Sequence, residues 1–342
     1  MSEPPSIAEV QGLIATVQDA LPQVEVLGPP SRMPKGFSSE SWRVTTTIGD
    51  LVVKVRRRST DMAKLRGQAE AAQLARLAGL PTAEVLHVGI AAALGDRPVV
   101  ILRFIPGIDA EEAPPGLEQP QRISFFSDLG DMIGRLHGIG LPHFTERIGS
   151  PGAAVSDWYT VVQRTTERAA AWNRERGMLT LPEIAAFYDR LLRDTATISA
   201  VVKPALTHRD LYLANVLIAD GHLTAIIDFE LAKGYDPLLD FVKLGMFVFE
   251  RWPDGIEPFM AAYRSRVGHI VSAEERVSVC FALEQFVMLP NWVNLGEARL
   301  AKVSCDFLRD WLRGEYPWWL RGRFITASPP VGVPRIALDN GL

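Results

Sequence analysis

The stretch that decides the fold runs from Thr207 to Leu244 and reads THRDLYLANVLIADGHLTAIIDFELAKGYDPLLDFVKL. It opens on HRDLYLAN, His208 to Asn215, with Asp210 two residues after the His and Asn215 five residues after that Asp. The spacing has a mechanical meaning in phosphoryl transfer. The Asp accepts the proton of an attacking hydroxyl, and the Asn folds back to hold a magnesium ion on the phosphates. His, Asp and Asn also cap helices and close turns, so the octet alone leaves a purely structural reading open. Further on, Asp228 ends the apolar run AII. A carboxylate in that position must be paired, hydrogen-bonded or metal-bound. With Asn215 it offers the hard oxygen ligands that magnesium prefers.

Working outward, a phosphoryl-transfer site needs a cover for the phosphates and a cation fixed by an acid. GFSSES, Gly36 to Ser41, precedes a strand and can turn backbone N–H groups and the hydroxyls of Ser38 and Ser39 toward phosphate oxygens. Lys54 closes the apolar run LVVKV, and Glu70 lies in the helix expected after it. A lone strand lysine is ordinarily an edge residue and a lone helix glutamate a surface one. In this order the two are expected to pair, Glu70 steering Lys54 onto the phosphates. The cluster KVRRRS, Lys54–Ser59, is too short to argue for nucleic acid and reads as the solvated end of a strand.

The chain has 342 residues, more than one core comfortably fills, so two lobes are expected. Its 47% apolar and 22% charged content and net charge of −4 are those of an ordinary globular protein. The two cysteines, Cys280 and Cys305, show no zinc-type spacing and fit a reducing, cytoplasmic setting. The N-terminus lacks the basic start of a secretory signal, and no apolar run is long enough to cross a bilayer. Neither a membrane nor a nucleic acid is an expected partner.

Along the chain, Ser6-Ile7-Ala8-Glu9 reads as a capping box, opening a helix with Ile7, Val10, Leu13, Ile14 and Val17 on one face. Strands Ser41–Ile48 and Leu51–Val55 flank a turn at Gly49-Asp50. A helix capped by Asp61 runs to Ala78, with Leu65, Ala69, Leu74 and Leu77 inward. Two more strands follow, in PTAEVLHVGIA and RPVVILRFI. The Pro-, Gly- and acid-rich stretch after Ile105 marks a boundary near 106–120, dividing residues 1–105 from 106–342. Beyond it come a helix with Phe125, Leu129, Met132, Ile133 and Leu136 inward, helices over 154–176 and 182–200, a hairpin turning at Asp220-Gly221, and helical spacing from Asp240 to about Arg313.

The whole resembles the aminoglycoside phosphotransferase family, the small-molecule branch of the protein-kinase-like fold. That family runs H-G-D-x-x-x-x-N, an apolar strand and turn, I-D-[WF]-E and then G-D-P-x-x-D. The matching residues here are His208, Asp210, Asn215, Ile227-Asp228-Phe229-Glu230 and Asp236-Pro237-Leu238-Leu239-Asp240. Weaker matches lie upstream in GRLHG, RFIPG and GFSSESWRV. The resemblance implies an α+β, two-lobed architecture: an N-lobe with an antiparallel sheet and helices, and a mainly helical C-lobe. It implies ATP or GTP with Mg2+, the purine held by backbone around Arg103-Phe104-Ile105, and a small-molecule hydroxyl as acceptor. His208, Arg209, Asp236 and Asp240 are then expected to brace the loop. Two departures stand out: Arg209 where the family has Gly, and DFVKL after the last motif where it commonly has Ala or Leu-Ala. Arg209 is expected to pair with a nearby acid such as Asp236. Because no long loop and no A-P-E follow Asp228, a peptide substrate gated by phosphorylation is disfavoured.

For the acceptor, the stretch from Asp236 to the C-terminus holds thirteen acids against twelve bases, with many aromatics. Enzymes that grip polycations line the acceptor side with excess carboxylate. Tyr212, Glu230, Trp252 and Trp292 are the candidate contacts, and a neutral or weakly charged antibiotic, such as a nucleoside-type one, is the expected acceptor. A polycationic aminoglycoside, a primary metabolite, and a catalytically inactive kinase-like module are the alternatives.

Overall fold

The computed structural model describes residues 6–33, 39–57, 61–112 and 116–317. Helix α1 (Ile7–Ala20) begins with the expected capping box, Ser6 Oγ accepting from the Glu9 N–H at 3.2 Å and the Glu9 carboxylate accepting from the Ser6 N–H at 2.9 Å. Its buried apolar face is narrower than the pattern suggests. Leu13 and Val17 are inside, whereas Ile7 is 79% exposed in the first turn.

Five strands form an antiparallel sheet in the order β1-β2-β3-β5-β4. They are β1 (Ser31–Arg32), β2 (Ser39–Thr46), β3 (Gly49–Arg56), β4 (Val85–Ala91) and β5 (Arg97–Arg103), with α2 (Met62–Leu77) between β3 and β4. The β2–β3 hairpin turns at Thr47-Ile48 rather than at Gly49-Asp50, which belong to β3. Thr46 fixes that turn: its hydroxyl donates to the Gly49 carbonyl at 2.6 Å and accepts from the Ile48 N–H at 3.3 Å. Asp61 caps α2 by accepting from the Lys64 N–H at 3.0 Å. The inward residues of α2 are Leu65, Gly67, Ala71, Ala72 and Ala75, while Leu77 lies outside. Small residues let this helix lie against the segment at Ile148, whose carbonyl is 3.1 Å from where a Cβ on Gly67 would stand.

The rest of the chain is mainly helical. It comprises β6 (Ile108–Asp109), α3 (Gln119–His137), β7 (Phe144–Thr145), β8 (Ala154–Val155), α4 (Trp158–Arg176), α5 (Leu181–Ile198), β9 (Ala205–Thr207), β10 (Val216–Ala219), β11 (His222–Ile226) and β12 (Lys233–Tyr235). Then come α6 (Asp240–Lys243), a π-helical turn over Leu244–Phe249, α7 (Ile256–Val267), α8 (Ala273–Leu295) and α9 (Ala298–Arg313). The helical periodicity after Asp240 is therefore interrupted, first by the π turn. Within α3, all five apolar residues expected inward are buried. Gly130 and Gly134 let α3 meet α7 closely, since a Cβ on Gly130 would stand 2.2 Å from the Phe259 carbonyl oxygen.

Two small sheets carry the expected site residues. One has the order β11-β10-β6, its hairpin turning at Asp220 and Gly221, both at positive φ as a tight two-residue turn requires. The other, β8-β7-β12-β9, brings the strand before HRDLYLAN beside the strand after Asp228. The interior consists of one cluster around Val44, Val53 and Ile101 and a larger one around Phe126, Trp158, Phe241 and Phe281, which also takes in Ala71, Ala72 and Ala75 of α2. Among the described helices none is long and apolar enough to cross a membrane.

Candidate active site

The catalytic-type loop leaves β9 and is held by its backbone. Asp240, at the start of α6 and wholly buried, accepts from the His208 N–H at 2.8 Å and from the Arg209 N–H at 2.6 Å. His137, at the end of α3, meets the same carboxylate at 3.0 Å through Nε2, and its Nδ1 lies 3.0 Å from the Tyr263 hydroxyl. Burial pushes Asp240 toward protonation, but the hydrogen bond and charge of His137 outweigh it and hold the carboxyl below its usual range. His208 donates through Nε2 to the Ile227 carbonyl at 2.8 Å, tying the loop to the strand end that carries Asp228. The loop is thus braced at both ends before any side chain reaches a ligand.

Arg209 sits at φ +66°, the left-handed region where a side chain costs roughly 1 kcal/mol or more and glycine costs none. The departure from the family's Gly therefore carries strain, and a buried ion pair offsets it. The Arg209 guanidinium reaches Glu284 of α8, not Asp236 as expected. Asp236 is taken instead by Arg276, one turn into α8, at 2.7 and 3.0 Å.

Asp210 has both carboxylate oxygens engaged. Lys243 of α6 binds Oδ1, and the Asn215 amide donates to Oδ2 at 3.1 Å and to the Asp210 carbonyl at 2.8 Å. With its nitrogen so occupied, Asn215 has its carbonyl oxygen left to coordinate. Asp228, at φ +67°, meets Lys54 Nζ at 3.1 Å through Oδ2. Its Oδ1 is buried without a hydrogen-bond partner among the described residues. Burial raises the proton affinity of Asp228, and the Lys54 charge more than cancels it, leaving the carboxyl below its usual range. An orphaned anionic oxygen near an amide carbonyl fits a magnesium ion that takes its other ligands from phosphate and water. Among the described residues no group of three acidic, His or Cys side chains is placed to hold a metal ion.

Other expected residues fall differently. Glu70 is exposed and makes no ion pair among the described residues; its side chain lies over Gly149. The structure thus brings Lys54 to Asp228 and not to Glu70. Within KVRRRS, Arg57 is exposed and Arg58 and Ser59 lie outside the described residues, but Arg56 is buried against Glu230 at 2.7 Å, with Lys64 also 3.6 Å from that carboxylate. Glu230 therefore faces β3 and α2 rather than offering a free acid to an acceptor. Ser39 accepts from Arg56 at 3.4 Å, and Gly36 and Ser38 lie outside the described residues. The N–H groups of Arg103 and Phe104 are already donated to Glu84 and Asp50, at 2.9 and 3.0 Å. Arg43 covers the Phe104 ring at 4.2 Å.

Among the acceptor candidates, Tyr212 stands beside Asp210, its ring 6.3 Å from Phe247 of the π turn. Burial first, then the nearby charges of Asp210, Asp228, Glu111 and Asp109, push its hydroxyl up to about 12. Trp252 is half-buried under the Arg122 guanidinium at 5.9 Å, and Trp292 packs partly against the large core. Four residues the motif reading passes over matter to the site: His137, Lys243, Arg276 and Glu284. GRLHG and DFVKL contain two of them, but spacing alone does not reveal that they converge on the loop.

Exchanging Glu70 for Ala is expected to leave turnover within about twofold of wild type, because nothing ties it to Lys54. Lys54→Ala combined with Asp228→Ala is expected to cost little more than Asp228→Ala alone, since paired groups are not additive. Steady-state rates of ADP formation check both. A loss of turnover in Glu70→Ala as large as that in Lys54→Ala would restore the Lys54–Glu70 pairing.

A five-stranded antiparallel sheet set against a helical half, with an Asp-to-Asn loop facing an Asp after a hairpin, is the protein-kinase-like arrangement of a phosphotransferase. Residues 31–277 match the model of the phosphotransferase enzyme family, and the chain belongs to that family. It is a small-molecule phosphotransferase. No curated protein matches it in sequence. Among solved structures it is similar to a thermostable mutant of aminoglycoside phosphotransferase APH(4)-Ia in ternary complex with AMP-PNP and hygromycin B, with 16% identity, 88% of this chain and 98% of that chain covered, and TM-score 0.65. A putative fructosamine-3-kinase from Thermobifida fusca gives 20% identity, 90% and 100% coverage and TM-score 0.65. A macrolide 2'-phosphotransferase type I gives 16% identity, 89% and 97% coverage and TM-score 0.59. At these identities the likeness speaks for the fold.

Proposed function

We infer that the protein moves the γ-phosphoryl group of ATP or GTP to a hydroxyl of a neutral or weakly charged small molecule. An antibiotic inactivated by O-phosphorylation in the cytoplasm is the favoured case. The observation that carries the phosphotransferase half is Asp210, its carboxylate oriented through both oxygens and set in the same loop as Asn215. Asp210 orients the acceptor hydroxyl and takes its proton, while Lys54 holds the phosphate tail of the nucleotide. Asn215 and Asp228 would hold magnesium, whose charge offsets that of the phosphates. Backbone groups of the Arg103–Ile105 segment would hold the purine.

The acceptor half rests on the charge pattern around Tyr212. Three of the four acids there are matched by cations: Glu111 lies 3.7 Å from Arg251, Asp210 on Lys243 and Asp228 on Lys54. Glu230, a candidate acid for the acceptor side, is held by Arg56 and Lys64. Beside these paired charges stands the aromatic Tyr212–Phe247 pair, available to meet an acceptor. Hydroxylated antibiotics are favoured because similar folds include aminoglycoside and macrolide phosphotransferases.

The test is ADP release against a panel of nucleoside, macrolide and aminoglycoside antibiotics and sugar amines, with the Michaelis constant of the best acceptor followed from low to physiological salt. The expected result is a weakly charged best acceptor and a shallow salt dependence. Multiply charged aminoglycosides as best substrates, with a steep rise in the constant, would overturn the acceptor reading.

A further inference from the structure

Phosphoryl transfer spreads negative charge over three equatorial oxygens, and catalysis is mostly cations and donors aimed at that charge. HRDLYLAN supplies no such cation. Between Asp210 and Asn215 stand Leu211, Tyr212, Leu213 and Ala214. Arg209, the loop's own cation, is turned away into the protein onto Glu284. Lys54 is engaged by Asp228.

Lys243 occupies the vacant role by another route. Its side chain is only 9% exposed, and its one ion-pair partner among the described residues is Asp210. Burying an ammonium is costly unless it is paired, so the position calls for an anion. The placement follows from helix geometry. Residues three apart share a face of α6, so Asp240 grips the loop backbone while Lys243, a turn later, reaches the loop's carboxylate. The helix grips the loop by its backbone and its base at once.

We propose that Lys243 contacts the transferred phosphoryl group and is therefore a catalytic residue, an inference resting on the role of Asp210 given above. The acceptor oxygen, within hydrogen-bond reach of Asp210, bonds to the γ-phosphorus. The bond from that phosphorus to the β–γ bridging oxygen breaks, its electron pair leaving on the nucleoside diphosphate, and the hydroxyl proton passes to Asp210. Lys243 gives up no proton. An ammonium carries three N–H donors on a flexible stem, so it can keep one on Asp210 and give another to a phosphoryl oxygen.

Calorimetric titration of the full chain with Mg2+–ADP and with Mg2+–AMP-PNP tests this without a known acceptor. In Lys243→Met, AMP-PNP affinity is expected to fall about tenfold while ADP affinity stays within about twofold, the loss of one charge-assisted hydrogen bond to the terminal phosphate. Lys243→Arg should keep most of the AMP-PNP affinity. Asp210→Asn should not weaken AMP-PNP, because it removes a negative charge near the phosphate and leaves Lys243 in place. If Lys243→Met and Asp210→Asn weaken AMP-PNP alike, or if Lys243→Met weakens both nucleotides equally or neither, the lysine serves only the loop and the proposal falls. Should Lys243→Met fail to fold, Lys243→Gln is read by the same criteria. Wild-type protein that binds neither nucleotide overturns the phosphotransferase role of Asp210 itself, and this inference with it.

Discussion

Asp210→Asn is expected to lower turnover by on the order of a thousandfold, the contribution of a well-placed general base, while the protein still folds. The amide keeps the shape of the side chain but cannot take a proton from the acceptor. Folding should survive because Asp240, not Asp210, secures the loop backbone. Asp228→Asn should cost turnover on a similar scale by a different route, through the orphaned Oδ1 that would face the metal. The check is the rate of ADP formation with the best acceptor, alongside circular dichroism. An Asp210→Asn protein with near wild-type turnover would sink the mechanism.

The largest stability effect is expected at Arg209. Arg209→Ala leaves Glu284, whose side chain is 4% exposed, as a buried charge without its partner, at a cost of about 3–5 kcal/mol. It also keeps a Cβ in the left-handed region. Arg209→Gly removes the same ion pair but relieves that strain, so it should lie about 1 kcal/mol closer to wild type. Pairing Arg209→Gly with Glu284→Leu should recover most of the remainder, since no buried charge is then left over. Urea unfolding of the four proteins reads these differences. Equal stability of the Ala and Gly variants would mean that the backbone strain at Arg209 is not felt.

What was legible in the sequence was local. The Ser6–Glu9 capping box, the Asp220-Gly221 hairpin and the inward face of α3 depend on residues within a few positions of each other, and their side chains act where the pattern puts them. The spacing from Asp210 to Asn215 falls in the same class, because the loop closes on itself through the Asn215 amide. Partnerships across the fold were not legible. Lys54 was expected to pair with Glu70, and only the sheet-to-hairpin packing brings it to Asp228 instead. Arg209 passed over nearby Asp236 for a glutamate 75 residues away, because α8 delivers Arg276 to Asp236 first. The residues after the last motif, DFVKL, show no chemistry as a pattern. The lysine matters only because α6 is docked through Asp240.

Helix α8 touches the catalytic segment twice, through Arg276 at Asp236 and through Glu284 at Arg209. Eight residues of helix span about 12 Å and leave the two side chains roughly 80° apart around the axis. The helix is therefore a gauge: its pitch sets the distance between Arg209, just before Asp210, and the Asp236 segment. One residue inserted between them would swing the two contacts to about 180°, opposite sides of the cylinder, so that only one could dock at a time. Point substitutions along the exposed face of α8 leave that gauge untouched, whereas a change of length by a single residue does not. Between the two contacts Val277, Val279, Cys280, Phe281, Ala282 and Leu283 are all buried, so that stretch is held in place by its packing as well as by its length.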